Sequence, residues 1–177
     1  MNLTQAVDNL ILYDPQFELQ AKQWLTAVGP GATYAVTRIA DITDASNNFT
    51  LVKSLVVIIH GLPGKLVLAG GGVIMGGFSK LVTSPRFLSP QARILFLSCM
   101  IGAGDEGDNF MDDVGQSLLK GKGGFVGAST VVNVVGPAGL AIMWNLGSDG
   151  RLKVKQFDVS GRQVASQSVD RYGNKDN

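Results

Sequence analysis

Two uninterrupted apolar runs constrain this chain most, because a strand buried on both faces reads as such a run and needs layers packed on either side. The first is Ser54-Leu-Val-Val-Ile-Ile-His60, followed by Gly61. The second is Arg93-Ile-Leu-Phe-Leu-Ser-Cys99, followed after two residues by Gly102. His60 and Cys99 are the only histidine and the only cysteine in the sequence, and each closes one of these runs. Open α/β sheets place ligands and reacting groups where strands leave the sheet at their carboxyl ends. The pattern therefore predicts that the one thiol and the one imidazole emerge at the same edge of one sheet.

The rest of the chain supplies elements to surround those strands. Thr4 fits the cap of a first helix with Val7, Leu10 and Ile11 on one face. Pro15 starts a second, with Phe17, Ala21, Trp24 and Leu25 apolar, so helices are expected within residues 3–28. Residues 33–39 alternate and read as a strand, and residues 41–48 are polar and turn-rich. After the strand at 55–59, Leu62-Pro63-Gly64 reads as a turn into a short strand at 65–69. Residues 78–82 form a short helical piece, and residues 94–98 are a second central strand. Acids at 105, 106 and 108 suit the start of a helix running to Lys120. Phe110, Val114 and Leu118 give that helix its buried face, with Asp112 and Asp113 solvated and Gly121 as its stop. Strands follow at 125–129 and 140–146. Ser148-Asp149-Gly150 turns the chain into 151–157 as an edge hairpin, and a polar tail starts at Tyr172. Strands separated by helices give an α/β fold: a mostly parallel central sheet, helices on both faces and an antiparallel edge.

With 177 residues, 45% of them hydrophobic and 16% charged, the chain suits one globular domain with its core in residues 32–157. A net charge of +1 gives no reason to expect nucleic acid or an acidic membrane as partner. One cysteine excludes an intrachain disulfide and a Cys-rich zinc site, and no ligand spacing points to another metal or to a cofactor. Residues 123–147 carry no charge, but Gly123, Gly124, Gly127, Gly136, Pro137 and Gly139 divide them into two strands and a loop rather than a membrane span. The opening MNLTQAVDNLILYDPQ lacks a basic region and a sustained apolar stretch. A cytoplasmic location, or secretion without an N-terminal signal peptide, is the expectation. Trp24 and Trp144 suit packing roles.

A thiolate attacks carbonyls well, and the oxyanion it creates needs preorganised donors. The backbone N–H groups of Gly61 and Cys99 are candidates for that oxyanion hole. His60 suits proton donation to a leaving amine. An α/β-hydrolase reading fails, since the chain has neither a Gly-x-Ser-x-Gly elbow nor a second histidine. The glycines at 70–77 do not spell Gly-x-Gly-x-x-Gly, and no Gly-Lys-Ser/Thr follows them, so nucleotide binding is not expected. Three readings stand: a cysteine endopeptidase, a binding domain with an inert cysteine, and another hydrolysis or acyl transfer on the same thiol.

His60-Gly61 after one apolar strand and Cys99 after another resembles the caspase-like cysteine peptidases of clan CD, among them caspases, gingipains, separase-type domains and the self-cleaving domains of large bacterial toxins. Ile94-Leu-Phe-Leu-Ser-Cys-Met-Ile-Gly-Ala-Gly104, then Gly107-Asp-Asn-Phe110, then Gly124-Phe-Val-Gly-Ala-Ser-Thr130, is similar to a bacterial caspase-like domain attached to giant surface proteins. The resemblance implies a three-layer caspase-like sandwich and a protein or peptide substrate. Cys99 would be the nucleophile, His60 the general acid and Gly61 with Cys99 the oxyanion hole, without a third catalytic residue. It also implies specificity loops after the first strand and after the strand following the catalytic helix. Those loops bring in Asp41 and Asp44, which would favour a basic residue before the cleaved bond, and Ser129 and Thr130. Val131, Val132, Val134 and Val135 beside them would favour an apolar one. Met100-Ile101 stand where the family often has a polar residue. No basic cluster of the kind used by inositol-phosphate-activated toxins is present. A catalytically silent binding module, or a zymogen awaiting an activator, is the alternative.

Overall fold

The computed structural model of the chain describes residues 4–130 and 152–169. In order the elements are β1 (Gln5–Ala6), β2 (Asn9–Tyr13), a 3-10 turn at Pro15–Phe17, α1 (Glu18–Val28), β3 (Gly31–Ala35), α2 (Ala40–Asn48), β4 (Phe49–Thr50) and β5 (Val52–Ile58). Then come β6 (His60–Leu62), β7 (Lys65–Val67), β8 (Val73–Met75), α3 (Phe78–Leu81), β9 (Leu88–Phe96), α4 (Gly104–Leu118), β10 (Gly124–Ser129), β11 (Leu152–Phe157) and β12 (Gln163–Val169). Seven strands form the main sheet in the order β12-β11-β10-β9-β5-β2-β3. Five of them, β3 to β10 in that order, run parallel, and β11 and β12 add an antiparallel edge. The fold is mixed α/β with a large, mostly parallel sheet.

Side chains alternate across the central strands and fill two cores. Leu10, Leu12, Leu55, Val57, Ile94, Phe96 and Val126 face one side, against Ile42 and Ala45 of α2, Phe78 of α3, and Phe110, Met111 and Val114 of α4. Ile11, Tyr13, Val56, Ile58 and Leu97 face the other, against Phe17, Ala21 and Trp24. The right-handed crossover rule explains this distribution. From β2 the chain steps outward to β3 through α1. It then reverses across β2 to β5 through α2, which sends the later helices to the opposite face.

Several sequence expectations are corrected here. Helices do not fill residues 3–28: Asn9–Tyr13 is a strand in the sheet interior, and only the 3-10 turn and α1 are helical. The run Leu10-Ile11-Leu12-Tyr13 is buried on both faces, so it is the third continuous apolar run of the sheet. The polar stretch 41–48 is helix α2, which buries Ile42 and Ala45. Residues 33–39 overrun β3, which ends at Ala35. The edge hairpin joins β11 to β12 through a turn in which Asp158 accepts hydrogen bonds from the Ser160 and Arg162 amides. The expected strand at 140–146, the turn at 148–150, Trp144 and the tail from Tyr172 lie outside the described residues.

Asp112 and Asp113 are half-buried and paired rather than simply solvated. Asp113 accepts a hydrogen bond from Ser79 of α3 at 2.8 Å. Asp112 accepts one at 2.7 Å from Lys155 of β11, whose side chain is 5% exposed. Lys155 also reaches Asp108 at 2.9 Å, and Lys153 pairs with the same Asp108 oxygen at 2.9 Å. Burial works against the Lys155 ammonium, but Asp112 and Asp108 outweigh it and raise its pKa. Burial likewise opposes the Asp108 carboxylate, and the two lysines hold it below its ordinary value.

Candidate active site where the sheet reverses

The reversal of chain direction sends the loop after β2 and the loop after β5 to opposite faces, and ligand crevices of open α/β sheets form at such a point. The loop after β5 carries His60, and the loop after the neighbouring β9 carries Cys99. Ser54 pairs with Arg93 and Val57 with Phe96, so the register offset is 39 and sets His60 level with Cys99. The Leu97 amide continues the ladder by donating to the Val57 carbonyl at 2.9 Å.

Beyond Ile58 the chain leaves the main sheet. His60 opens a small antiparallel sheet of order β6-β7-β8, turned at Pro63-Gly64. This sheet leans on the Cys99 loop through main-chain contact. A Cβ placed on Gly61 would lie 2.5 Å from the Cys99 carbonyl oxygen, 2.8 Å from Ser98 Cβ and 3.1 Å from the Cys99 nitrogen. Real Cβ atoms do not approach backbone that closely, so only glycine fits there. The Gly64 amide donates to the Ile101 carbonyl at 3.0 Å, a second tie between the loops.

Cys99 is half-buried. Immediately after it Met100 takes φ +53°, a left-handed conformation that costs a non-glycine residue roughly 1–2 kcal/mol. The turn is closed by the Ala103 amide donating to Met100 O at 2.8 Å. The Gly102 amide donates to Ser129 O at 2.8 Å, which fastens the loop to the end of β10. Gly107 of α4 sits against the Gly102 backbone with no room for a side chain. Beneath the loop, the buried Ser98 hydroxyl has no hydrogen-bond partner among the described residues. Such an orphan costs on the order of 1–3 kcal/mol.

The loop after β2 completes the surround. The Phe17 ring meets the His60 imidazole edge-on at 4.9 Å, interplanar angle 69°. Asp14 is buried, and its carboxylate accepts the Ala69 amide at 2.7 Å and the Gln16 amide at 3.3 Å. It thereby ties the chain after β7 to the end of β2. Sequence reasoning missed Asp14 and Phe17. Their signal was the apolar run ending in Tyr13-Asp14-Pro15, a strand end of the same type as the other two.

The pocket residues expected from sequence divide into two groups. Ser129 and Thr130 stand at the carboxyl end of β10, next to the Cys99 loop. Asp41 and Asp44 follow the outermost strand β3, three strand spacings or roughly 14 Å from β9. The structure does not bring them together with His60 and Cys99. Asp44 is exposed. Both Asp41 oxygens are occupied, taking the amides of Thr37 and Arg38, the Thr37 hydroxyl and the Arg38 guanidinium. Val131, Val132, Val134 and Val135 lie outside the described residues.

That saturation makes Asp41 a stability determinant. Burial pushes its pKa up, but the Arg38 and Thr37 amides and side chains prevail and hold it at about 2. A depressed carboxylate pKa stabilises the fold above the unfolded value of about 3.9, and the contribution is lost as pH falls toward 2. Asp41→Asn is expected to cost about 2 kcal/mol at pH 7 by urea unfolding and almost nothing near pH 2. An equal cost at both pH values would contradict this.

Among the described residues no helix is long and apolar enough to cross a membrane. Nor does any group of three or more His, Cys, Asp and Glu among them stand ready to hold a metal ion. The sequence pattern of a family described as Domain of unknown function (DUF4347) matches residues 28–172, roughly four fifths of the chain. The chain belongs to this family. The DUF4347 match opens at the last residue of α1 and closes beyond β12, so it contains both His60 and Cys99 with their strands. Asp14 and Phe17 precede the matched DUF4347 segment. No curated protein and no solved structure matches the chain.

Proposed function

We propose that this protein is a caspase-like cysteine endopeptidase acting through Cys99 and His60. The observation that carries the reading is the contact of Gly61 with the Cys99 backbone, which sets the residue after the imidazole against the residue bearing the thiol. The mostly parallel sheet, the two helical faces and the antiparallel edge support a caspase-like sandwich. A half-buried rather than sealed Cys99 supports a reacting role over an inert one.

The chemistry follows from the placement. The Cys99 thiolate attacks the scissile carbonyl carbon, and the carbonyl π electrons move onto oxygen. In a two-residue hairpin the closing pair Leu62–Lys65 is hydrogen-bonded, and pairs alternate along the ladder. This turns the Gly61 N–H away from β7, on the side where an oxyanion beside the Cys99 backbone would be met. As the oxyanion collapses, the C–N bond breaks and the protonated His60 gives its proton to the departing amine. Water, deprotonated by His60, then attacks the thioester, releasing the acid and restoring the thiol. The reading assigns this work to a Cys99–His60 dyad without a third catalytic residue.

The test is to trap the intermediate. Incubating the full chain with a random peptide library and quenching in acid is expected to show acyl adducts on Cys99 by mass spectrometry, alongside cleaved peptides. Cleavage products without an adduct on Cys99 would move the reaction elsewhere. Neither product nor adduct, with Cys99 alkylating only in denaturant, would leave a binding domain.

A further inference from the structure

The outward face of the β6-β7-β8 sheet carries the only histidine within an exposed apolar surface. Directly opposed residues of an antiparallel sheet project to the same side. His60, Val67 and Val73 form one rung, and Leu62, Lys65 and Met75 the rung two residues on. Between them Leu66 and Ile74 point the other way and are buried in the core. On the outward rungs Leu62 is 52% exposed, Val73 45% and Met75 67%. Three strands at about 4.8 Å and two rungs about 6.8 Å apart make a platform the size of two or three residues of extended chain. Large apolar side chains grouped at a strand end beside a candidate reacting group mark a binding surface more than scattered exposure does.

We propose that this platform holds the polypeptide substrate on the leaving-amine side of the cleaved bond and selects apolar residues there. The side rests on the peptidase reading above: the imidazole that protonates the amine must stand next to it, and the platform is continuous with that imidazole. Lys65 lies between Leu62 and Met75 on their rung, so an acidic residue beside the apolar ones is accommodated and a basic one is repelled. Gly61 on the inner side of the same strand meets Cys99, so one three-residue strand joins the reacting pair to the surface that reads the departing chain.

Binding and cleavage are measured separately. Two end-capped heptapeptides, identical except for Leu-Val against Glu-Glu in the middle, are titrated into full-length Cys99→Ala protein. Its methionine methyls carry a carbon-13 label, and Met75→Leu assigns the Met75 signal. The Leu-Val peptide is expected to shift the Met75 resonance and to bind at least about tenfold tighter, the discrimination expected of one or two buried apolar contacts. The pair Leu62→Glu and Met75→Glu is expected to erase that preference, while in protein retaining Cys99 the rate of alkylation by iodoacetamide stays unchanged. Equal affinities, an unmoved Met75 signal, or a concentration-dependent dimer abolished by the same two substitutions would each overturn the platform. Wild-type protein mixed with the Leu-Val peptide judges the other reading. Binding without cleavage there sinks the peptidase and leaves the platform standing, and cleavage of both peptides at equal rates does the reverse.

Discussion

Cys99→Ala is expected to abolish peptide cleavage, a loss on the order of 10⁴-fold or more, because Cys99 is the only thiol in the sequence. His60→Ala is expected to lose nearly as much on peptides, and the double variant no more than Cys99→Ala, since groups that act as a unit are not additive. The two single variants separate on a different substrate. A p-nitrophenyl ester expels a leaving group that needs no proton, so His60→Ala retains a burst of about one nitrophenolate per Cys99 and then stalls at the thioester for want of the base, while Cys99→Ala gives no burst. Initial rates on a peptide and burst amplitudes on an ester, for all three variants, check this. Full peptide cleavage by His60→Ala would remove the imidazole from the mechanism. Ester turnover by Cys99→Ala would remove the thiol.

Lys155→Ala is expected to destabilise the fold by about 2 kcal/mol at neutral pH, below the range for breaking a fully buried ion pair, because Asp108 and Asp112 keep a third or more of their side chains in solvent and Lys153 still serves Asp108. The cost comes from Asp108 and Asp112, one helical turn apart on α4, facing each other without the ammonium between them. It should shrink at about pH 3.5, where the Asp108 carboxylate, no longer held down by Lys155, takes up a proton more readily. With Lys155 in place its raised pKa keeps the cluster intact at neutral pH, and the contribution fades only as pH climbs through that raised value. Lys155→Met together with Asp112→Asn is expected to recover more than half of the loss by filling the site and removing one charge. Urea unfolding at pH 7 and pH 3.5 measures all of this. A loss under about 1 kcal/mol would mean that the cluster is solvated in solution.

Strands β5 and β9 were legible because burial on both faces writes an apolar run that no surface strand carries. Helix α4 was legible from Phe110 and Val114 at four-residue spacing between acids and lysines. Strand β2 was hidden by Thr4 and Val7 ahead of it: four consecutive apolar residues satisfy a helical and a strand period equally, and the preceding cap tipped the balance. With residues 9–13 read as helix, the first strand falls at 33–39 and the loop after it at Asp41 and Asp44, whereas in the sheet the loop after β2 carries Asp14 and Phe17. Helix α2 carries few strong helix formers and is held by its tertiary role, with Ile42 and Ala45 under the sheet and Asp41 closing its entry. The buried lysine cluster had a readable signature: Lys153 and Lys155 two apart on a strand, Asp108 and Asp112 four apart on a helix. Pairing it required knowing that β11 lies under α4. His60 and Cys99 as strand ends were visible in sequence, but the fit of Gly61 against Cys99 belongs to tertiary packing alone.

Where Gly61 and Gly64 stand, the loops bearing His60 and Cys99 are joined by main chain touching main chain. Their relative position therefore does not depend on which side chains decorate them. The outward positions Leu62, Val73 and Met75 hold up nothing beneath them. On the proposed reading, substitutions on that face exchange one choice of target for another in descendants of such a chain, while the backbone contact of Gly61 with Cys99 is inherited unchanged. Innovation and constancy occupy opposite sides of the same three-residue strand.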